Sequence, residues 1–307
     1  MMFSGGSQNR AFQMSPRNRE GAISMNFDTI GVVGTGQMGA GIAQVAAAAG
    51  HQVFIADVNV DLAVHAKNSI AQRLSILVDK GKLAKPAADE ILSRLVPIAS
   101  VNDLKKAGIV IEAVTENVEL KLRLFRELDA AVNPEAILAS NTSSISITLL
   151  AAATKRPDRV MGMHFMNPVP IMTLVELIRG LQTSDATFSA LKSLAEKWGK
   201  TTTVAKDYPG FIINRLLIPF LNEACDALMN GVGSVADIDK SIKLGLNHPM
   251  GPFQLADLIG LDTVLAIARV LHEGLGDSKY RPSPLLVKYV EAGWLGRKTG
   301  RGFHAYK

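Results

Sequence analysis

Short apolar runs alternate with longer stretches of helical periodicity through the first two thirds of the chain. The apolar runs have the length and composition of buried strands and cover residues 30–33, 53–56, 109–114, 136–139, 160–165, 173–177 and 201–205. Between them, apolar residues recur at helical spacing in 61–80, 86–95, 120–132 and 185–199. Because strands and helices alternate, the sequence predicts an α/β sheet.

From about residue 207 the pattern changes to almost pure helix. Periodic stretches cover about 210–230, 235–245, 252–273 and 283–293, with no further strand before the C-terminus. The sequence therefore predicts an α/β domain over 27–206 and an all-α C-terminal domain over 207–307. Residues 1–26 are rich in Ser, Gly, Asn and Gln, show little apolar periodicity, and are predicted to be a disordered extension.

A glycine motif directly follows the first predicted strand and opens an alanine-rich helix. Its members are Gly34, Thr35, Gly36, Gln37, Met38 and Gly39. Glycines at this spacing allow a tight turn, close approach of a pyrophosphate and close helix–strand packing, and the helix N-terminus then holds the pyrophosphate. Asp57 ends the second strand and is placed to accept hydrogen bonds from a ribose 2′-hydroxyl. The first domain is therefore predicted to be a Rossmann-type, dinucleotide-binding domain.

The choice of dinucleotide follows from the same aspartate. Asp57 would repel a 2′-phosphate, and Val58 and Asn59 supply no cation to neutralise one. The sequence therefore predicts NAD rather than NADP.

A predicted helical hairpin, about residues 61–95, interrupts the strand–helix rhythm. Its polar face carries five basic residues: Lys67, Arg73, Lys80, Lys82 and Lys85. Two interpretations are equally supported, a solvated surface or a basic wall for a phosphate-bearing ligand.

Polar residues follow two of the predicted strands, where α/β folds place their ligands. Thr115-Glu116-Asn117 follows one strand, and Ser140-Asn141-Thr142-Ser143-Ser144 follows the next. Ser143 or Ser144 could instead cap the following helix, which is the commoner role of such residues.

His164 and Glu176 each lie six residues from Pro170. The segment Pro168-Val169-Pro170 cannot continue a central strand, so the chain is expected to change direction there. If it reverses, the two side chains can meet. Histidine suits proton transfer because its unperturbed pKa lies near neutrality, and a partnered carboxylate orients the ring.

Composition and charge exclude several other classes of function. The 307-residue chain has no apolar run approaching the ~20 residues of a membrane span. The net charge of +5 comes without a dense basic block or an aromatic platform, which argues against nucleic acid and is compatible with an anionic ligand. The single cysteine, Cys225, excludes an internal disulfide and a cysteine-based zinc cluster, so no metal is expected.

With these pieces in place, residues 27–307 resemble the 3-hydroxyacyl-CoA dehydrogenases, most closely the short bacterial 3-hydroxybutyryl-CoA dehydrogenases. The resemblance rests on seven ordered motifs: Gly-Thr-Gly-Gln-Met-Gly (34–39), Glu116-Asn117, Ser-Asn-Thr-Ser-Ser (140–144), His-Phe-Met-Asn-Pro-Val-Pro (164–170), Pro-Gly-Phe-Ile-Ile-Asn-Arg (209–215), Pro-Met-Gly-Pro-Phe (249–253) and Lys-Thr-Gly-Arg-Gly-Phe (298–303).

The resemblance implies roles for particular residues. His164 and Glu176 match the family's catalytic pair, and Ser143 and Asn214 match the residues that hold the substrate oxygen. The positions that match NAD contacts are Asp57, Glu116, Lys121, Ser143, Asn167 and Lys298. Lys80 matches a coenzyme A-contacting lysine, and Arg73 replaces a small hydroxyl residue at the other such position. Met166 and Thr173 also depart from the common residues beside the site, which bears on acyl-chain preference.

The expected function is NAD-dependent oxidation of a 3-hydroxyacyl-CoA by a homodimer. Two alternatives are a dehydrogenase of a hydroxy acid or sugar acid without coenzyme A, and a non-catalytic, crystallin-like NAD-binding protein. The expected location is cytoplasmic, or the mitochondrial matrix if the arginine-bearing residues 1–26 are a transit peptide.

Overall fold

The computed structural model describes residues 27–306, so the predicted disordered extension, 1–26, lies outside the described residues. The first part of the chain forms one sheet of eight strands. In chain order these are β1 (Thr29–Val33), β2 (Gln52–Ala56), β3 (Leu95–Pro97), β4 (Ile109–Glu112), β5 (Ile137–Ser140), β6 (Val160–Phe165), β7 (Leu174–Arg179) and β8 (Thr201–Lys206).

Eleven α-helices occur within residues 27–306. They are α1 (Gln37–Ala48), α2 (Val60–Asp79), α3 (Lys85–Ser93), α4 (Val118–Ala131), α5 (Ile147–Ala152), α6 (Asp185–Lys197), α7 (Ile213–Met229), α8 (Val235–Gly245), α9 (Pro252–Ile259), α10 (Leu261–Leu275) and α11 (Pro284–Glu291). None of them has the length and apolar content that a membrane crossing needs.

The sheet runs in the order β3-β2-β1-β4-β5-β6-β7-β8. All neighbours are parallel except β6 and β7, which pair antiparallel. One face is covered by α1, α2, α3 and α6, and the other by α4 and α5, each over its own apolar core. The central strands β1, β4, β5, β6 and β7 are almost fully buried, which is why they read as continuous apolar runs, whereas the edge strand β8 is largely exposed. The predicted α/β Rossmann-type fold is confirmed.

The chain reversal predicted at Pro170 is also confirmed. The loop of residues 166–173 joins β6 to β7, and the antiparallel register places His164 directly opposite Glu176. Side chains of directly opposed residues lie on the same face of a sheet, so this register brings the two functional groups together.

The remaining helices, α7 to α11, pack around a third apolar core, which confirms the all-α second part. Its last segment is held by Asp257, whose carboxylate accepts hydrogen bonds from the backbone N–H groups of Phe303 and His304 and from the Tyr306 hydroxyl. This anchor holds the glycine-rich ending against α9.

Three local predictions were wrong. The stretch 86–95 is not all helix, because α3 ends at Ser93 and Leu95 begins the short edge strand β3. The stretch 252–273 is two helices, since Gly260 at φ 102° separates α9 from α10. The strand predicted over 109–114 ends at Glu112, and residues 113–117 turn away to form part of the site.

Candidate active site

The glycine loop between β1 and α1 has the shape that a pyrophosphate needs. Gly34 sits at φ 93°, and a Cβ there would lie 2.6 Å from the Ala113 backbone. A Cβ on Gly39 would lie 1.7 Å from the Gly34 carbonyl oxygen, so helix and loop pack as closely as glycine permits. Gly36 faces open space, and α1 begins with no side-chain cap and no acidic residue in its first turn. The helix N-terminus is therefore available to an anion, and this loop fits a dinucleotide.

Asp57 lies at the end of β2 and already organises the loop. Its Oδ2 accepts hydrogen bonds from the Thr35 N–H at 2.6 Å and from Thr35 Oγ1 at 2.7 Å, and its Oδ1 accepts one from the Val58 N–H. A carboxylate has further lone pairs, so these bonds leave room for a ribose hydroxyl.

A cavity of about 760 Å³ opens beside Asp57. Its walls include Leu62 and His65 of α2 and Leu120 and Arg123 of α4, none of which was predicted as a site residue. Arg123 reaches the cavity from α4 and is far from Asp57 in the sequence, so the residues that follow Asp57 do not indicate it. Asn59 has a different task, since its side chain caps α2 by accepting a hydrogen bond from the Leu62 N–H.

His164 and Glu176 form a buried pair at the junction of the two parts of the chain. His164 Nδ1 lies 2.8 Å from Glu176 Oε2. The other carboxylate oxygen, Oε1, accepts hydrogen bonds from the backbone N–H groups of Ile212 and Ile213, both at 3.1 Å, at the start of α7. Because an ionised carboxylate can only accept, the proton on the neutral ring lies at Nδ1 and the lone pair at Nε2.

A turn of unusual backbone conformation places an aromatic ring against this histidine. Gly210 has φ 78° and Phe211 has φ 51°. Phe211 is buried, and its ring meets that of His164 edge-on with 5.9 Å between the ring centroids. A non-glycine residue at positive φ is uncommon. The motif of residues 209–215 carries no local signal for this contact, because the ring it meets lies about 45 residues earlier in the chain.

Glu116 gathers the polar loop that follows β5. Its carboxylate accepts hydrogen bonds from the Ser143 N–H at 2.6 Å, from Ser143 Oγ at 2.9 Å and from Thr142 Oγ1. Asn214, buried on α7, donates a long hydrogen bond of 3.4 Å from Nδ2 to the Ser143 carbonyl oxygen. The structure thus brings together Glu116, Ser143 and Asn214.

Lys121 lies beneath this loop with about 1 % of its side chain exposed. It donates to the buried carboxylate of Glu112 and to the Val114 carbonyl oxygen, and it lies 3.4 Å from Glu116 Oε2. Its ammonium is therefore directed at protein groups, and it reaches a ligand through Glu116 in this conformation.

The capping role considered for Ser143 and Ser144 was wrong. Helix α5 is capped by Ser146 and by Asp207, a residue of the segment after β8. Asp207 accepts hydrogen bonds from the N–H groups of Ile147 and Thr148 at 2.9 and 2.7 Å. Ser143 therefore does not cap a helix.

The five basic residues of the hairpin separate into different environments. Lys80 and Lys82 are exposed at the end of α2, and Arg73 donates to the Gln44 side chain of α1 at 3.3 Å. Lys67 donates to the Leu95 carbonyl oxygen at 2.7 Å, and Lys85 pairs with Asp89. Four of the five, all except Lys67, are exposed, so a basic surface is available along the hairpin.

Two further predicted residues lie at the surface. Asn167 is exposed in the loop that follows β6. Lys298 is half exposed and pairs at 2.6 Å with Asp262 of α10, so this ion pair lies within the helical part of the chain.

The fold, the glycine loop and the buried His–Glu pair together define a dinucleotide-dependent dehydrogenase. Residues 29–208 match the NAD binding domain of 3-hydroxyacyl-CoA dehydrogenase, and residues 210–306 match the C-terminal domain of the same family. The chain belongs to the 3-hydroxyacyl-CoA dehydrogenase family and is an NAD-dependent oxidoreductase.

Individual relatives are similar over nearly the whole chain. A 3-hydroxybutyryl-CoA dehydrogenase of Bradyrhizobium diazoefficiens is 56% identical, with 91% of this chain and 95% of that protein covered. A probable 3-hydroxybutyryl-CoA dehydrogenase of Bacillus subtilis is 52% identical, with 92% and 99% covered. The crystal structure of (S)-3-hydroxybutyryl-CoA dehydrogenase from Ralstonia eutropha is similar with a TM-score of 0.90 and 48% identity, covering 92% of this chain and 100% of that one.

Proposed function

We propose that this protein interconverts 3-hydroxybutyryl-CoA and acetoacetyl-CoA, with His164 as the acid/base. The observation that carries the proposal is the His164–Glu176 pair, buried where the carboxyl end of β6 meets the helical part. The names of the relatives described above support the four-carbon acyl chain. Met166 and Thr173 flank the loop after β6 and are the residues on which chain-length preference would depend.

In the oxidation direction, His164 Nε2 accepts the proton of the substrate hydroxyl. NAD, when bound in the glycine loop, supplies the acceptor for the hydride. Glu176 holds the Nδ1 proton and stabilises the imidazolium that forms. In the reverse direction, Nε2 donates its proton to the ketone oxygen. The edge of Phe211 limits the rotation of the ring, so Nε2 keeps its direction.

Ser143 and Asn214 are proposed to hold the substrate oxygen. Both carry donors, and the bond between Asn214 Nδ2 and the Ser143 carbonyl oxygen is long enough to exchange for a stronger one. Ser143 Oγ donates to Glu116 in this conformation, so binding of a substrate oxygen there requires the hydroxyl to rotate.

The cofactor is proposed to use the glycine loop, Asp57, Glu116 and Ser143 directly. Lys121 would act indirectly, because it fixes the Glu116 carboxylate from below. Asn167 and Lys298 are included on the family resemblance.

Coenzyme A is proposed to lie along α2, with Lys80 as the first contact and Arg73 as the second. The two residues are seven apart, so they share one face of the helix. Lys80 is exposed and keeps a cation available for a phosphate, while the bond from Arg73 to Gln44 directs its guanidinium toward α1.

A homodimer is proposed through the helical part. Six large apolar side chains are exposed on α7 to α9 and the segments that join them: Leu216, Met229, Val232, Leu244, Leu246 and Leu258. Helix α8 buries only Asp239 within the described chain, although Val235, Ile238 and Ile242 are partly buried on it. Several large apolar side chains exposed together are typical of an interface.

The domain limits are proposed as 27–206 and 207–307, which the family matches over 29–208 and 210–306 support. A cytoplasmic location is proposed because the bacterial relatives named above are similar over almost the whole chain, and because the one cysteine is a free, buried thiol.

The test is oxidation of NADH measured with acetoacetyl-CoA and, separately, with free acetoacetate. The proposal expects rapid turnover with the thioester and little with the free acid. His164→Gln serves as the matched inactive control. Comparable rates with both substrates would favour a dehydrogenase that does not use coenzyme A, and NADH binding without turnover on either would favour a non-catalytic protein.

A further inference from the structure

A buried lysine outside the seven motifs holds the loop beside the His164–Glu176 pair. Lys200 directly precedes β8, and only 8 % of it is exposed. Its ammonium donates to the Val169 carbonyl oxygen at 2.6 Å and to the Met172 carbonyl oxygen at 2.8 Å. Both acceptors belong to the loop of residues 166–173. This loop connects β6, which bears His164, to β7, which bears Glu176, and it carries Asn167.

The same loop is fixed on its other sides. The N–H groups of Ile171 and Met172 donate to the Pro168 carbonyl oxygen, which closes the loop on itself. The Val169 side chain packs against α1 so closely that a Cβ on Gly41 would lie 2.8 Å from the Val169 Cβ. The loop is therefore held between Lys200 and the helix that follows the glycine motif.

The turn that carries Lys200 also contacts the end of β6. Trp198, two residues earlier, stacks on Phe165 with 6.2 Å between the ring centroids. Phe165 is the neighbour of His164, so one turn contacts both the strand that bears the histidine and the loop beyond it.

Lys200 is a costly residue in this position unless it has a function there. Burial lowers the pKa of its ammonium. The two carbonyl oxygens compensate for the lost water, and each would lose a charge-assisted hydrogen bond if the ammonium were removed. An apolar side chain at this position would avoid the burial of a charge, but it could not donate hydrogen bonds to the two carbonyl oxygens.

We propose that Lys200 is a positioning residue, whose ammonium fixes the loop of residues 166–173 and thereby the placement of Asn167 and the catalytic pair against the cofactor loop. This inference rests on the proposed function for its kinetic consequence, although its structural part does not.

The test compares Lys200→Met, which keeps the aliphatic stem and removes the donors, with Lys197→Met, an exposed lysine of α6 three residues away. Lys200→Met should lower kcat/KM for acetoacetyl-CoA reduction by about 10- to 100-fold, because a displacement of ~1 Å can cost up to ~10²-fold. The KM for NADH should rise more than the KM for acetoacetyl-CoA. Lys200→Arg, which retains donors, should recover part of the loss, and Lys197→Met should match the wild type.

Amide hydrogen exchange separates positioning from plain stability. The Ile171 and Met172 amides should be protected in the wild type and should exchange faster in Lys200→Met, while amides in the centre of the sheet keep their protection. A lowered melting temperature with unchanged kinetic constants would overturn the proposal, as would unprotected loop amides in the wild type. The comparison of exchange between Lys200→Met and the wild type needs no substrate, so it decides whether Lys200 holds the loop even if the wild type proves inactive and the proposed function itself fails. If Lys200→Met fails to fold, the comparison is made with Lys200→Gln, which keeps a single NH₂ donor group, and loop amides that exchange as slowly in it as in the wild type would overturn the proposal.

Discussion

Replacement of Glu176 by glutamine is the sharpest test of the catalytic pair, because the structure separates the two tasks of this carboxylate. Oε1 accepts from two backbone N–H groups at the start of α7, and Oε2 faces His164 Nδ1. In Glu176→Gln the amide oxygen can keep the two backbone bonds. The NH₂ group then faces Nδ1, which forces the ring proton onto Nε2 and removes the lone pair that accepts the substrate proton.

The expected loss can be worked from the geometry. A charge pair about 4 Å apart at an effective dielectric constant of ~20 interacts by about 4 kcal/mol, which corresponds to roughly 10³-fold in rate if the imidazolium is formed in the transition state. General acid–base catalysis contributes ~10²–10⁴-fold, so the two arguments agree. Stability should change little, since the backbone N–H groups keep their acceptor. Glu176→Ala, by contrast, leaves two buried N–H groups unsatisfied at about 1–3 kcal/mol each.

The assay is kcat for oxidation of 3-hydroxybutyryl-CoA by NAD, with melting temperature and NADH affinity as controls. Because His164 and Glu176 act as a unit, the double variant should be little slower than His164→Gln alone. A well-folded Glu176→Gln enzyme with near-normal kcat would refute the orientation argument. Losses that multiply in the double variant would show that Glu176 acts independently of the histidine.

Four other outcomes follow from the structure. Asp57→Ala should weaken NADH binding by roughly 10- to 100-fold and narrow the gap to NADPH in kcat/KM, since it removes a charged acceptor; an undiminished gap would contradict this. Lys80→Glu should raise the KM for acetoacetyl-CoA and leave NADH affinity unchanged. Equal effects on both ligands would instead favour the interpretation that α2 is only a solvated surface. Light scattering should give the mass of a dimer. Leu216→Asp should weaken the dimer, while Leu181→Asp, at a still more exposed leucine on the sheet domain, should not. Burial raises the pKa of Cys225 to about 12, so native protein should resist alkylation at pH 8, and the thiol's contribution to stability, complete below pH ~9, should be lost as the pH rises toward 12.

Local patterns were sufficient to predict the elements that build the cofactor loop. The β1–α1–β2 unit is encoded within residues 29–57, and the glycine positions follow from steric requirements that act over a few residues. The pairing of His164 with Glu176 was also predictable, because the two residues are symmetric about a proline segment that cannot continue a strand. An antiparallel pair has a fixed register once its turn is located.

Contacts between residues that are distant in the chain could not be predicted from local sequence patterns. Asp207 caps α5 from 60 positions away, and Lys121 turns inward because Glu112 is buried at the end of β4. A three-residue edge strand such as β3 carries too little periodicity to be recognised, and the break at Gly260 depends on a backbone conformation rather than on apolar spacing. These features depend on tertiary partners that a local window does not contain.

The position of Glu176 links the chemistry to the packing of the two parts of the chain. One oxygen of its carboxylate is hydrogen-bonded to His164 of the sheet. The other oxygen accepts hydrogen bonds from the Ile212 and Ile213 amides of the helical part. Asn214, one residue further along α7, reaches the Ser143 loop across the same junction. In the proposed mechanism, the glycine loop belongs to the sheet domain, whereas the acid/base pair and the substrate-oxygen site are complete only when the start of α7 is packed against β7. The short segment of residues 207–214 makes all of these contacts. It caps α5, places the Phe211 ring against the histidine, provides both backbone N–H donors to Glu176 and carries the Asn214 amide. This arrangement gives a physical reason for the helical part to follow β8 immediately.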